Sequence, residues 1–153
     1  MTSEKIKRML DACYLAKRIR ELLPELPEGV TSAHIQYLDA IHVLQDRGLR
    51  VKVSDISDYF GLPRPGVTRT VKDMVQKGYL EKHTSQEDGR VTYLAVTAQG
   101  ETLHRKYNTD YYRRLAPKLE HISDEEADCM ISAIQKFYAV MKERSVDVES
   151  FQS

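Results

Sequence analysis

The sequence predicts a mainly α-helical chain that carries one small β-hairpin. Three features predict it. Apolar residues recur at three- and four-residue spacing through most of the chain. Two short helical patterns, punctuated by prolines and glycines, occupy residues 54–78. The polar stretch "TSQEDGR" then separates two β-favouring runs. At 153 residues, with 41% hydrophobic and 30% charged side chains, the chain suits one compact domain or two small subdomains sharing a core.

Residues 4–23 form the first helical pattern, with Ile6, Met9, Leu10, Cys13 and Ala16 near one stripe. "LPELPEGVT" breaks it with Pro24, Pro27 and Gly29. Thr31 or Ser32 can cap a second helix whose inner face holds Ile35, Leu38, Ile41 and His42, and Gly48 can stop it. "LRVKV" reads as one rung of a small sheet. A brief helix at 54–60 follows, with Val53, Ile56 and Phe60 at helical spacing, and Gly61 can end it.

Pro63 and Pro65 fit the opening turn of the next helix, where backbone amides have no intrahelical acceptor to lose. Within that helix Val67, Val71, Met74 and Val75 share a buried face, and Gly78 closes it. Asp88-Gly89 marks the turn of the hairpin. Thr97 can cap a long helix from Ala98 onward, which Pro117 should kink or end. "SDEE" at 123–126 is a capping box opening a last helix, with Met130, Ile131, Ile134, Phe137, Tyr138 and Met141 in a stripe.

A helix-turn-helix followed by a hairpin is a winged helix. The expected organisation is therefore N-terminal helices at 1–49, a winged helix-turn-helix lobe at 50–97 and C-terminal helices at 98–153. The outer helices carry apolar stripes that a small winged lobe has little core to cover. They are read as flanking dimerisation helices, the alternative being that they pack on each other within one chain.

With the valines and Met74 inward, Arg64, Pro65, Thr68, Arg69 and Lys72 face outward. Two arginines can fork onto guanine edges or phosphates, Thr68 can touch a base or backbone oxygen, and Lys72 suits phosphate. Pro65 and Gly66 leave a small tip that can approach a thymine methyl. Arg90, just past the hairpin turn, can enter a narrow minor groove, with Asp88 orienting it or bracing the hairpin. The chain has 23 basic and 23 acidic residues, so it is neutral overall. Charge is nevertheless segregated: between residues 64 and 82 Arg64, Arg69, Lys72, Lys77 and Lys82 oppose only Asp73 and Glu81. A solvated charged face, or a winged module that docks a protein and reads no bases, accounts for the same helix.

The element order, with Asp88-x-Arg90 followed by Val96-Thr97 and Gly100, resembles the MarR family of bacterial transcription regulators over nearly the whole chain. Pro63 stands where that family usually has Ser or Thr, and Val96 where leucine is more usual. The resemblance implies a homodimeric repressor that binds double-stranded DNA at an inverted repeat, with Arg90 as the wing-tip minor-groove arginine. It also implies release by a small aromatic or phenolic effector bound between the dimer helices and the DNA-binding lobe. Tyr14, Lys17, Tyr37, Tyr107 and Tyr111 are the candidate pocket residues, although tyrosine stripes also serve as core or interface.

Some relatives sense peroxides through a first-helix cysteine, which makes Cys13 a redox candidate. Its place on the apolar stripe equally suits a buried, inert thiol. Cys129 lies beside an acidic run. Two cysteines build no disulfide framework, which fits a reducing cytoplasm. The N-terminus lacks the apolar stretch of a secretory signal, and no run approaches a membrane span. His34, His42, His83, His104 and His121 show no H-x-x-x-H spacing and the cysteines no C-x-x-C, so no metal site and no cofactor are expected. No G-x-S-x-G, phosphate-binding glycine loop or H-E-x-x-H points to an enzyme.

Overall fold

The computed structural model of the chain describes residues 1–143. The described residues divide into two compact units, the first ending at Asp110 and the second beginning at Tyr111. The boundary thus falls inside the expected C-terminal segment, and the central lobe takes in helices on both sides of 50–97.

In the first unit, α1 (Ser3–Glu21) begins where Thr2 Oγ1 accepts a hydrogen bond from the Lys5 amide at 3.2 Å. None of its side chains is fully buried. Helix α2 (Ser32–Asp46) is the opposite case, burying Ile35, Tyr37, Leu38, Ala40, Ile41 and Leu44. Its neighbours are α3 (Val53–Phe60) and α4 (Arg64–Gln76). Leu38, Ile41, Ile56, Val67, Val71 and Met74 from these three helices are all at most 1% exposed and form the centre of the core. Each such side chain contributes roughly 1.5–3 kcal/mol by leaving water.

Gly61 makes the turn between α3 and α4 possible, because its φ of 61° lies in the left-handed region that side chains avoid. The turn is pinned by the Ser57 hydroxyl, which donates to the Leu62 carbonyl at 2.6 Å. Pro63 occupies the N-cap of α4 and Pro65 its first turn. No side chain caps that end, in keeping with a proline in place of the usual Ser or Thr.

Strands β1 (Leu80–Thr84) and β2 (Thr92–Val96) pair antiparallel, Leu80 opposite Val96 and Thr84 opposite Thr92. The hairpin is as expected, but its tip is wider than a two-residue turn. The last backbone bond joins the Ser85 amide to the Val91 carbonyl at 2.8 Å, and Gly89 does not adopt positive φ. "LRVKV" forms no strand; the Leu94 amide donates to the Val51 carbonyl at 2.8 Å, a single rung, after which Val53 opens α3.

Thr97 links three elements. Its amide donates to the Tyr79 carbonyl at 3.1 Å, its hydroxyl donates to the Gly78 carbonyl, and its Oγ1 accepts from the Gly100 amide at 3.1 Å. It thereby ties the end of α4 and the base of the wing to the start of α5 (Ala98–His104). Gly100 runs so close to β1 that an added Cβ would overlap the Tyr79 carbonyl oxygen and approach Val96 Cγ1 to 2.8 Å. The single long helix expected from Ala98 is interrupted. A π-helical segment, Arg105–Asp110, follows α5 and carries the buried Asn108, whose amide donates to the Ile35 carbonyl at 3.5 Å.

The second unit starts with α6 (Tyr111–Leu115) and a 3₁₀ turn, Ala116–Leu119, that contains Pro117. Proline removes the amide that an α-helix would need there. The expected capping box opens α7 (Asp124–Lys142): the Glu126 amide donates to Ser123 Oγ at 3.2 Å and the Ser123 amide to Glu126 Oε2 at 2.9 Å. Met130, Ile131, Ile134, Tyr138 and Met141 on this helix are all more than 40% exposed.

His34 is a buried polar group that packs beside α4. Its Nδ1 accepts from the Thr31 amide at 3.2 Å and its Nε2 lies 2.9 Å from Asp73 Oδ2 on α4. That pairing fixes the neutral Nε2–H tautomer. Burial pushes its pKa below the ordinary 6.5, against an upward pull from Asp73. A lowered histidine pKa means that the unfolded chain binds the proton more readily. This contribution to stability is therefore full above 6.5 and is lost as pH falls through the lower folded value.

Two outcomes are expected. Denaturant midpoints measured across pH should fall below about pH 6.5 in the native chain, and the fall should be shallower in His34→Gln, identical slopes removing His34 as its source. Gly100→Ala should cost about 1–3 kcal/mol of unfolding free energy. Gly89→Ala, where an added Cβ meets nothing within 4 Å, serves as the neutral control.

Candidate nucleic-acid interface

The candidate surface is built on α4 and the wing. Val67, Val71 and Met74 anchor α4 inward, which leaves Arg64, Pro65, Thr68, Arg69 and Lys72 exposed, as the helical period requires. Thr70 is the intervening hydroxyl that turns back on its own helix, donating to the Gly66 carbonyl at 3.3 Å. Asp73 would be the acid nearest to this face, but it is occupied from the side. Lys77 pairs with its Oδ1 and His34 with its Oδ2, and these contacts, led by the Lys77 hydrogen bond, hold its pKa below the ordinary carboxylate value. Arg64, Arg69 and Lys72 make no ion pair among the described residues, so their cationic heads remain available to an anion.

The wing supplies one more exposed cation. Arg90 sits in the tip, and Asp88 Oδ1 accepts from the Arg90 amide at 3.0 Å. Asp88 therefore braces the turn through the backbone, and its carboxylate is engaged at the amide of Arg90. The Val91 amide donates to the Asp88 carbonyl at 2.9 Å, completing a local turn. Ser85 supports the same tip from below: it is buried, and its Oγ accepts from the amides of Glu87 and Asp88 at 3.3 Å each. Behind the hairpin Arg50 lies 3.9 Å over the Tyr93 ring. Sequence reading missed Ser57, Ser85, His34 and Arg50, whose supporting roles depend on partners that only the fold identifies.

The candidate pocket residues of the first unit stand in different settings. Tyr37 is sealed in the core at 4% exposure, stacked on Phe60 with centroids 5.4 Å apart. Tyr14 and Lys17 are exposed on α1, and Tyr107 packs at the edge of the core. Tyr111 belongs to α6 in the second unit, where it meets Tyr112 edge-on. Cys13 is half-buried and Cys129 exposed. The histidines are less scattered than their sequence spacing suggests, for His42 and His104 approach to 4.3 Å between ring centroids.

Comparison with known proteins agrees with this geometry. Residues 28–91 match the model of the MarR family. The chain is similar to the uncharacterized HTH-type transcriptional regulator YdgJ of Bacillus subtilis (strain 168), 21% identical over 108 residues. That match covers 71% of this chain and 63% of YdgJ, less than two thirds of its length. Among solved structures, Streptococcus pneumoniae FabT in complex with DNA shares 20% identity and a TM-score of 0.67, covering 94% of this chain and all of that one at 100%. The PcaV transcriptional regulator of Streptomyces coelicolor, solved with its natural ligand, shares 21% identity and a TM-score of 0.60 over 88% of this chain and 89% of its own. At such identities the structural likeness is one of fold. No described helix is long and apolar enough to cross a membrane. Over residues 28–91, which hold α2, α3, α4 and β1, the chain is similar to the MarR family.

Proposed function

We propose that the chain is a sequence-specific, double-stranded DNA-binding transcription regulator acting as a homodimer in the cytoplasm. The observation that carries this reading is the unpaired cationic face of α4, Arg64, Arg69 and Lys72, next in the chain to a wing whose tip exposes Arg90. Helix α4 has 13 residues and, at about 1.5 Å per residue, roughly the length that crosses a major groove. In this reading Arg64, Pro65, Thr68 and Arg69 face base edges, Lys72 takes a phosphate, and Arg90 enters the adjoining minor groove. FabT, of similar fold, was solved with DNA.

Dimerisation is supported by the uncovered apolar faces. Ile6, Leu10, Tyr14, Leu15 and Ile19 on α1 are each more than 40% exposed, and α7 presents its own stripe. A twofold partner that covers them would place two α4 helices for half-sites about one DNA turn apart. The role is that of a repressor released by a small aromatic or phenolic effector, with Tyr14, Lys17 and Tyr107 as the accessible pocket candidates; PcaV, of similar fold, was solved with a ligand. Tyr37 fits a core role better, and Tyr111 enters only through the second unit. Cys13, half-buried on α1, remains the thiol through which an oxidant would act. No enzymatic step is assigned.

Selection from random duplex DNA with reduced, ligand-stripped protein tests the reading. An enriched inverted repeat with half-sites about 10–10.5 base pairs apart is expected. No enrichment would move the assignment to a protein-docking winged module. On the selected site, Arg69→Ala and Arg90→Ala should each weaken binding roughly 5- to 150-fold, equivalent to about 1–3 kcal/mol. Lys72→Ala should reduce the salt slope by about 1 while leaving sequence preference intact. Unchanged affinity in both arginine variants would dismiss this surface.

A further inference from the structure

We propose that His42, Glu101 and His104 form a Zn²⁺ site joining α2 to the first turns of α5, with Asp39 positioning His104. Asp39 and His42 are three residues apart on α2, and Glu101 and His104 are three apart on α5. That spacing puts both members of each pair on one face of their helix, and the two helices pack together. Two D/E-x-x-H pairs therefore confront each other, although neither alone has zinc-site spacing in the sequence.

The donor atoms converge. One ligand atom from each of His42, Glu101 and His104 lies within 4.8 Å of the others, and His42 Nε2 is 3.2 Å from Glu101 Oε2. Two ligands each about 2.0–2.1 Å from a tetrahedral zinc ion stand about 3.4 Å apart. The His42–Glu101 pair already has that separation, and side-chain rotation of the exposed Glu101 can close the rest. His104 Nε2 lies 3.1 Å from Asp39 Oδ1, a carboxylate–histidine contact of the kind that orients metal-binding imidazoles.

His42 Nε2 supplies the independent observation. It is buried from water and makes no hydrogen bond, because the nearby Glu101 oxygen is not aligned to accept one. A ring nitrogen left without a partner away from water is unfavourable, and coordination of its lone pair would satisfy it. Two imidazoles and a carboxylate, with one position left to water, are ligands suited to zinc. The site lies wholly within the first unit, and the proposal stands whether or not α4 reads DNA.

The test uses the full chain, stripped with chelator and titrated with ZnSO₄ alone in a calorimeter. One Zn²⁺ per chain is expected, accompanied by a raised thermal midpoint. His104→Gln and Glu101→Gln should each weaken binding at least tenfold, and Asp39→Asn should weaken it less. His121→Gln, an exposed histidine outside the cluster, should leave it unchanged. Co²⁺ bound to the unaltered chain should show the visible absorption of a four-coordinate N/O site, a readout that does not depend on any variant folding. Absence of stoichiometric binding, affinity unaffected by His104→Gln and Glu101→Gln, or a six-coordinate Co²⁺ spectrum would each overturn the proposal.

Discussion

The lobe depends on the crossing at Thr97. One residue receives the end of α4 through the Gly78 carbonyl, the base of β1 through the Tyr79 carbonyl, and the first turn of α5 through the Gly100 amide. Its three bonds occupy backbone groups that would otherwise be left unpaired where three elements meet. Gly100 permits the crossing because any side chain would strike the Tyr79 carbonyl. The Val-Thr-x-x-Gly run that carries the family resemblance is thus an architectural joint. It fixes the wing relative to the end of α4, so the spacing between Arg69 and Arg90 is set by backbone rather than by the flexible arginines.

A second constraint acts from behind α4. His34, held in one tautomer by the N-terminus of α2, grips Asp73, and Lys77 grips the other oxygen of the same carboxylate. The arrangement uses the only acid of α4 to secure the helix to the core instead of neutralising its outer face. Partly buried charges held in this way position a helix more than they stabilise it. The cations on the outer face then retain both their charge and their freedom to adapt to a ligand.

Most of the fold was legible because its signals are local. Apolar periodicity located α2, α4 and α7, while Thr31, Ser123, Gly61 and Pro117 marked ends with a physical reason for each. The break at 105–110 was not legible, since Arg105–Asp110 has no helix-breaking residue and its wider turn accompanies the burial of Asn108 against the Ile35 carbonyl. The same limit applied to the site. Outward residues of α4 follow from counting around one helix, whereas Asp73 bound to His34, Ser85 beneath the wing, and His42 beside His104 join residues from elements far apart in sequence. Burial is likewise set by the fold: Tyr37, a candidate for its polar end, lies in the core with its ring stacked on Phe60.

In the proposed role, the exact balance between 23 basic and 23 acidic residues bears on how the chain would find one site in a chromosome. Attachment to arbitrary DNA is driven by release of counterions from phosphates, and it weakens as fewer cations engage. A neutral molecule with only a handful of available cations on one face spends little of its time parked on irrelevant sequence. In that proposed role its free pool would stay large, so operator occupancy would track copy number and any change in intrinsic affinity closely, without the buffering that bulk chromosomal binding imposes on strongly basic regulators.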